Sequence, residues 1–245
     1  MKEMCNLLLA AYVMAAPGLA LETSPPVKQD LPPKKLLYRD DFDQNLSQWV
    51  VEQAANGTTR LLDGKLEIDD AGGCTVWFTN KLSGAILIEY EAAQIQQGGT
   101  NDRASDLNCF WMATDPKHPD NLFFDSQNRG GKFKNYDGLR LYYVGYGANG
   151  NTTTRFRRYP GDGSRPLLAQ NDLTGAKFLN IPNQLVKIQV IADGNRIQFR
   201  RDGEIIFDFT DPEPFREGWF GFRTVRSHLR IGHFRVYQLE SAKSQ

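Results

Sequence analysis

Four guanidiniums and four phenols lie close together in sequence between Leu139 and Tyr159, LRLYYVGYGANGNTTTRFRRY. A Gly/Asn turn divides this stretch into two strands, and strand alternation puts every second side chain on one face. Thr153, Arg155, Arg157 and Tyr159 therefore share one face, and Thr154, Phe156 and Arg158 share the other. If Phe156 is in the core, Arg155 and Arg157 point away from it. In the partner strand Tyr143 and Tyr146 accompany Gly145 and Gly147, whose small size lets a ligand approach the backbone. Thr, Asn, Tyr and Arg occur here without Lys or Glu, whereas a merely solvated strand mixes both signs of charge. The chemistry such groups serve is the binding of, or action on, sugars.

Two further stretches carry polar groups of the same kind. In Thr100–Trp111, Asn101, Asp102 and Arg103 offer planar groups for bidentate hydrogen bonds to sugar hydroxyls. The alternative is an internal Asp102–Arg103 pair. Asp106 and Asn108 share a strand face, and Trp111, a stacking platform for a sugar ring, lies on the other. Near the C-terminus Arg223, Arg226 and His228 follow one another closely, and His228 is the histidine with two arginines beside it in sequence.

The elements that must position these groups are short strands. Asp63-Gly64 and Asp202-Gly203 are two-residue hairpin turns flanked by apolar alternation, and Asp193-Gly194-Asn195 marks a third. Strands are expected at Leu36–Phe42, Leu46–Val51, Thr75–Phe78, Ala85–Gln94, Asp106–Ala113, Gln184–Ala192, Arg196–Arg200, Glu204–Phe209 and Gly218–Tyr237. Residues 114–135 read as a long Pro- and Gly-containing excursion. With no helical crossover, this succession predicts an all-β, antiparallel two-sheet sandwich. The 22 glycines and the 11% aromatic content suit such a fold.

Lys+Arg and Asp+Glu balance at 29 each, so no global field favours nucleic acid or a membrane as partner. Lys2, the apolar run Leu7–Met14 and the small residues Ala16–Ala20 read as a signal peptide over residues 1–20. A secreted or periplasmic protein is the expectation, with a Pro/Lys-rich flexible leader over 21–35, one domain over 36–239, a tail over 240–245 and a monomeric state. Loss of Cys5 with the signal would leave Cys74 and Cys109, which either pair or stay as buried thiols. The spacing offers no zinc site, and without an EF-hand pattern calcium is a minor, structural option; no cofactor is expected.

Three patterns together resemble a known family. They are RDDFDQNLSQWVVE at the start, VKIQVIADGNRIQFRRDGEIIFDF, and GWFGFRTVRSHLRIGHFRVY at the close. They resemble the concanavalin A-like lectin/glucanase jelly roll, and within it secreted bacterial sandwich domains of the YesU type and of the 3-keto-disaccharide hydrolase type, over about residues 36–239. The resemblance implies that the strand before the closing FRVY lines the concave face, so Arg223 would point toward ligand. It also draws attention to Glu89 and Glu91, which share a strand face but lack the third acid of the glucanase pattern Glu-x-Asp-x-x-Glu.

Arg155, Arg157, Arg223, Tyr143, Tyr146 and His228 form a cationic and phenolic set that suits an acidic, uronate-containing polysaccharide of plant or algal type. Arginine would neutralise the uronate carboxylate, and Tyr143 or His228 would take the neighbouring proton and return one to the leaving oxygen. That is β-elimination, as in jelly-roll lyases. Two other readings stay open: a non-catalytic carbohydrate-binding module using Trp111, Tyr143 and Tyr146, and a glycoside hydrolase using Glu89 with Glu91 or Asp102 with Asp106.

Overall fold

The computed structural model describes residues 31–240. The expected signal peptide, most of the leader, Cys5 and residues 241–245 lie outside them. In chain order the strands are β1 (Lys34–Asp40), β2 (Trp49–Gln53), β3 (Thr58–Leu62), β4 (Lys65–Asp69), β5 (Cys74–Phe78), β6 (Leu82–Ser83), β7 (Ile86–Gln94) and β8 (Asn108–Thr114). They continue with β9 (Arg140–Gly147), β10 (Thr153–Pro160), β11 (Asp172–Leu173), β12 (Val186–Asp193), β13 (Arg196–Arg201), β14 (Glu204–Thr210), β15 (Glu217–Thr224) and β16 (His228–Leu239). Lys34 and Lys35, placed in the leader by composition, instead open β1, opposite Leu239 and Gln238. The edge pairing with β16 outweighs their polarity, and Lys34 lies 4.0 Å over the Tyr237 ring.

All pairings are antiparallel, and they form two sheets. The first runs β14-β13-β12-β7-β16-β4-β3, with β1 also on β16; the second runs β11-β10-β9-β8-β15-β5-β2, with β6 on β15. This is the expected jelly-roll sandwich. Asp63-Gly64 and Asp202-Gly203 each have both residues at positive φ, as a primed hairpin turn requires.

Between the sheets lies an aromatic core that includes Trp49, Phe78, Tyr90, Trp111, Tyr142, Tyr146, Phe156, Phe222 and Phe234. A second apolar layer covers part of the other face of the second sheet. There Trp77, Phe110, Leu141, Tyr143, Tyr159 and Trp219 pack under Leu122, Tyr136 and Leu139 from the β8–β9 excursion. Burial on both faces explains why β5 and β8 read as almost unbroken apolar runs rather than alternating ones.

The excursion is fastened at two points. Arg129 donates to both Glu52 carboxylate oxygens, the shortest contact being 2.6 Å, and Tyr136 Oη donates to Glu52 Oε2 at 2.6 Å. Gly73 and Gly131 meet so closely that a Cβ on either would fall 2.2 Å or 2.1 Å from the other's carbonyl oxygen. Both have positive φ, so glycine is required on both counts.

Candidate functional site

Where the excursion ends, the same sheet face opens into a cavity of about 1020 Å³. Its floor follows from strand register. Arg155 faces Gly145, Asn108 faces Arg223, and Arg223 faces Thr75. Cys109 opposite Val144 puts Asn108 opposite Gly145. One row across the sheet therefore reads Arg155, Gly145, Asn108, Arg223, Thr75. The next row is Arg157, Tyr143, Phe110, and its Phe110 belongs to the apolar layer. Phe156, between the two arginines in sequence, is buried in the inter-sheet core, which forces Arg155 and Arg157 onto the cavity face.

The β9–β10 connection forms one end of the wall. Gly147, Asn149, Gly150 and Asn151 all have positive φ, which explains its Gly/Asn composition. Asn180 clamps this turn: its amide nitrogen donates to Tyr146 O at 3.0 Å and accordingly leaves no room for a Cβ at Gly147.

Arg103, Arg155, Arg157, Arg165 and Arg226 line the cavity, with Asp106 as the lining carboxylate. Three of these cations have carboxylate partners. Arg103 pairs with Asp106 at 2.9 Å, Arg155 with Asp172 through contacts of 2.8 and 3.1 Å, and Arg165 with Asp137 at 3.6 Å. The Arg155 guanidinium holds Asp172 below the usual carboxylate range. Arg157 donates to the Arg165 carbonyl but has no carboxylate partner among the described residues. Arg226 is exposed; its backbone N–H donates to Asp70 Oδ2 at 2.9 Å, and its guanidinium has no partner among the described residues.

Two neutral groups complete the wall. Asn108 is 1% exposed and its Nδ2 donates to Asp106 Oδ1 at 3.1 Å, while its Oδ1 has no hydrogen-bond partner. Tyr143 makes no hydrogen bond through its hydroxyl among the described residues. Burial pushes its phenol well above the ordinary value, Tyr159 and Asp106 act in the same direction, and Arg223 and Arg157 act against them. It stays protonated at neutral pH and is a hydrogen-bond donor there.

Of the residues singled out from sequence, Arg103, Asp106, Asn108, Tyr143, Arg155, Arg157 and Arg226 meet at this cavity; Arg223, Trp111, Tyr146, Asn101, Asp102, His228, Glu89 and Glu91 do not. Arg223 has the expected face, but the excursion covers it completely: it is 0% exposed, donates to Gly131 O at 2.6 Å and Thr75 Oγ1 at 3.1 Å, and lies against Phe133 and Tyr136. Its place is that of a clasp on the excursion. Trp111 is in the inter-sheet core against Tyr142 and Phe156, so it presents no platform to a ligand. Tyr146 sits on the core side of β9 for the same parity reason, and its hydroxyl accepts from Arg201 at the mouth of a separate cavity of about 210 Å³.

Asn101 donates to Asp69 Oδ1 at 2.8 Å, away from the cavity. Asp102 accepts from the backbone N–H groups of Gln97 and Gly99 and lies 2.8 Å from His228 Nδ1. The Asp102–Arg103 pair considered from sequence gives way to Asp102–His228 and Arg103–Asp106. His228 also lies 3.3 Å from Glu67, which Arg60 and Arg230 neutralise from the other side. His228 thus fastens β16 to the loop that carries Arg103, but it does not reach the cavity wall.

Glu89 and Glu91 lie on β7 in the other sheet. Although burial opposes it, hydrogen bonds from Gln189 and Lys187 hold Glu89 below the usual carboxylate range, the reverse of what a general acid needs. Cys74 and Cys109 are free and buried, and burial pushes both thiols up to about 12. Asp115, His118 and Asp125 bring one donor atom each within 4.8 Å of one another outside the cavity, a set too small and too rich in nitrogen for calcium.

Arg165 escaped sequence reasoning. Arg165 reaches the cavity only because the loop after β10 folds back. Arg226, read from sequence together with Arg223 and His228, is brought to the cavity by the turn between β15 and β16.

The sequence profile of a family described as a domain of unknown function (DUF6250) matches residues 68–234. No curated protein matches the chain in sequence. Among solved structures, the chain is similar to a protein of unknown function with a galectin-like fold from Bacillus subtilis, with TM-score 0.64 and 18% identity over 84% of this chain and 98% of that one. It is also similar to an endo-beta-1,3-glucanase from Pyrococcus furiosus, with TM-score 0.59 and 11% identity over 90% and 100% of the two chains. A third is the carbohydrate-binding module CBM66 from Bacillus subtilis, with TM-score 0.51 and 14% identity over 78% and 95%. At these identities the likeness is one of fold: a galectin-like, concanavalin A-like jelly roll.

Proposed function

The chain belongs to the DUF6250 family, and from that premise we propose that it is a secreted carbohydrate-recognition protein whose cavity holds an acidic, uronate-containing glycan. The observation that carries this reading is the cation excess of the cavity wall: of five arginines, Arg157 and Arg226 have no carboxylate partner among the described residues. Like charges in one cavity repel, and an anionic ligand between them removes that cost. Guanidinium groups match carboxylates in geometry as well as in charge. The unpartnered Asn108 Oδ1 and the Tyr143 hydroxyl supply an acceptor and a donor of the kind sugar hydroxyls satisfy. The carbohydrate-binding module and glucanase of similar fold support a sugar ligand in general.

Export belongs to the same proposal and rests on Lys2, Leu7–Met14 and Ala16–Ala20. So does a single domain over residues 36–239. Kinship with sandwich domains of the YesU type is likewise proposed, on the three sequence patterns given above.

Catalysis by β-elimination is a second reading, favoured by one observation: the Tyr143 phenol shares the cavity wall with Arg157. Tyr143, as the phenolate, would take the proton from the carbon that bears the uronate carboxylate. The bond from the adjacent ring carbon to the glycosidic oxygen breaks, a carbon–carbon double bond forms, and the proton passes from Tyr143 to the leaving oxygen. The raised phenol makes this costly unless the arginines lower it on substrate binding, so binding is the primary reading. A panel of pectic and other uronate polysaccharides tests both. Retardation of the protein in gels containing acidic glycans is expected. New absorbance at the unsaturated-uronate band would add the lyase activity, and retardation by neutral glycans alone would overturn the reading.

A further inference from the structure

The two unneutralised arginines come from different elements of the cavity wall. Arg157 is on β10, while Arg226 follows β15, and β9 and β8 lie between those strands. Three strand spacings put their backbones roughly 14 Å apart across the sheet. The Arg157 guanidinium is held at the Arg165 carbonyl, so the two cations serve different stretches of the wall. The wall between them is already balanced, with Arg103 on Asp106 and Arg155 on Asp172, and it offers the neutral groups of Asn108 and Tyr143.

Arg226 also occupies an unfavourable backbone conformation. Its φ is 52°, in the left-handed region where a long side chain is strained, and its side chain makes no compensating hydrogen bond among the described residues. Asp106 and Asn149, also on the cavity wall, have φ of 62° and 54°. Strain of this kind persists where surrounding structure enforces it, and it collects at ligand sites. The backbone N–H of Arg226 is held by Asp70 Oδ2, which fixes the turn and so aims the side chain.

We infer that the cavity reads two acidic groups carried on successive parts of one glycan, Arg157 taking one carboxylate and Arg226 the other, with the intervening sugar hydroxyls against Asn108 and Tyr143. This rests on the acidic-glycan reading above and narrows it from any uronate to a run of at least two. Arg226 then sets the length preference, because an oligomer brings a second carboxylate to it.

The test is titration calorimetry of the full-length mature protein with a uronic acid monosaccharide, the corresponding unbranched oligouronides of two to four units, the same oligouronides with esterified carboxyls, and neutral oligosaccharides. Affinity should rise at least tenfold between one acidic unit and the shortest oligomer that spans the cavity, and esterification should abolish the rise. Arg226→Gln, at an exposed position, should lower affinity for the oligomer about tenfold and leave the monosaccharide within a factor of three. Arg157→Lys keeps the charge but loses the fork. Its loss should multiply with that of Arg226→Gln in the double variant, as expected of two separate contacts. A monosaccharide that binds as tightly as the oligomers, or an Arg226→Gln variant that binds them unchanged, overturns the two-group inference and leaves the acidic-glycan reading standing. Binding of neutral oligosaccharides alone overturns both.

Discussion

Arg226 sets function against stability within one side chain. Glycine at this position removes about 1 kcal/mol of left-handed strain but restores a similar amount of unfolded-chain entropy. Arg226→Gly should therefore melt within a few degrees of the parent while losing about tenfold in affinity for acidic oligosaccharides. A large drop in melting temperature would mean that the side chain supports the fold instead. The cysteines make the opposite case. With thiols pushed up to about 12 by burial, Cys74 and Cys109 have almost no thiolate at pH 8. Iodoacetamide should leave both unmodified in the folded protein and label both in denaturant, as read by peptide mass mapping; labelling of either in the native state would contradict their burial. At this scale the sequence was informative about Arg155 and Arg157, because alternation and Phe156 settle their face. Parity alone does not settle which side of β8 or β9 is core, and so Trp111 and Tyr146 read from sequence as ligand-facing although both lie in the sheet interface.

Among elements, the excursion between β8 and β9 decides how much of the sheet face a ligand can reach. Its Glu52–Arg129 pair is buried, with Tyr136 Oη as a third partner, and removing one charge of such a pair costs about 3–5 kcal/mol. Glu52→Gln should lower unfolding free energy by about 3 kcal/mol in denaturant titration and expose residues 115–139 to limited proteolysis. Unchanged stability and unchanged cleavage would show the anchor to be unimportant. Strand succession and Asp-Gly turns were enough to read the sandwich from sequence. The excursion was recognised as long and turn-rich, but its role as a cover was not. Its anchors, Glu52–Arg129 and Arg223–Gly131, join residues separated by 77 and 92 positions, beyond the reach of local periodicity. The unbroken apolar runs of β5 and β8 were the available sign that something lay over that face.

For the molecule as a whole, acid should be destabilising. Asp211 joins the two sheets, accepting from Tyr142 Oη at 2.6 Å and Arg158 Nε at 2.7 Å. Glu67 accepts from Arg60 and Arg230 beside His228. In both, burial acts to raise the carboxyl, but these hydrogen bonds overcome it and hold the group below its ordinary value. A depressed folded-state value adds stability that is fully present above the unfolded value, about 4, and is lost as pH falls through the folded one. Melting temperature should be flat from pH 7 to about 5 and fall below about 4, and Asp211→Asn should show a shallower fall from a lower starting point. A melting temperature that rises on acidification would refute this.

The position of β16 also bears on how the protein is made. It pairs with β7, β4 and β1, so the strand that opens the described chain closes against the one that ends it, Lys34 opposite Leu239. Three strands of the first sheet wait for β16, the last of the described strands to be synthesised. Until it emerges, β1, β4 and β7 leave backbone donors and acceptors unmet, and no cooperative sandwich exists to resist threading through a translocon. Emergence of β16 is then the event that commits the described strands to their fold.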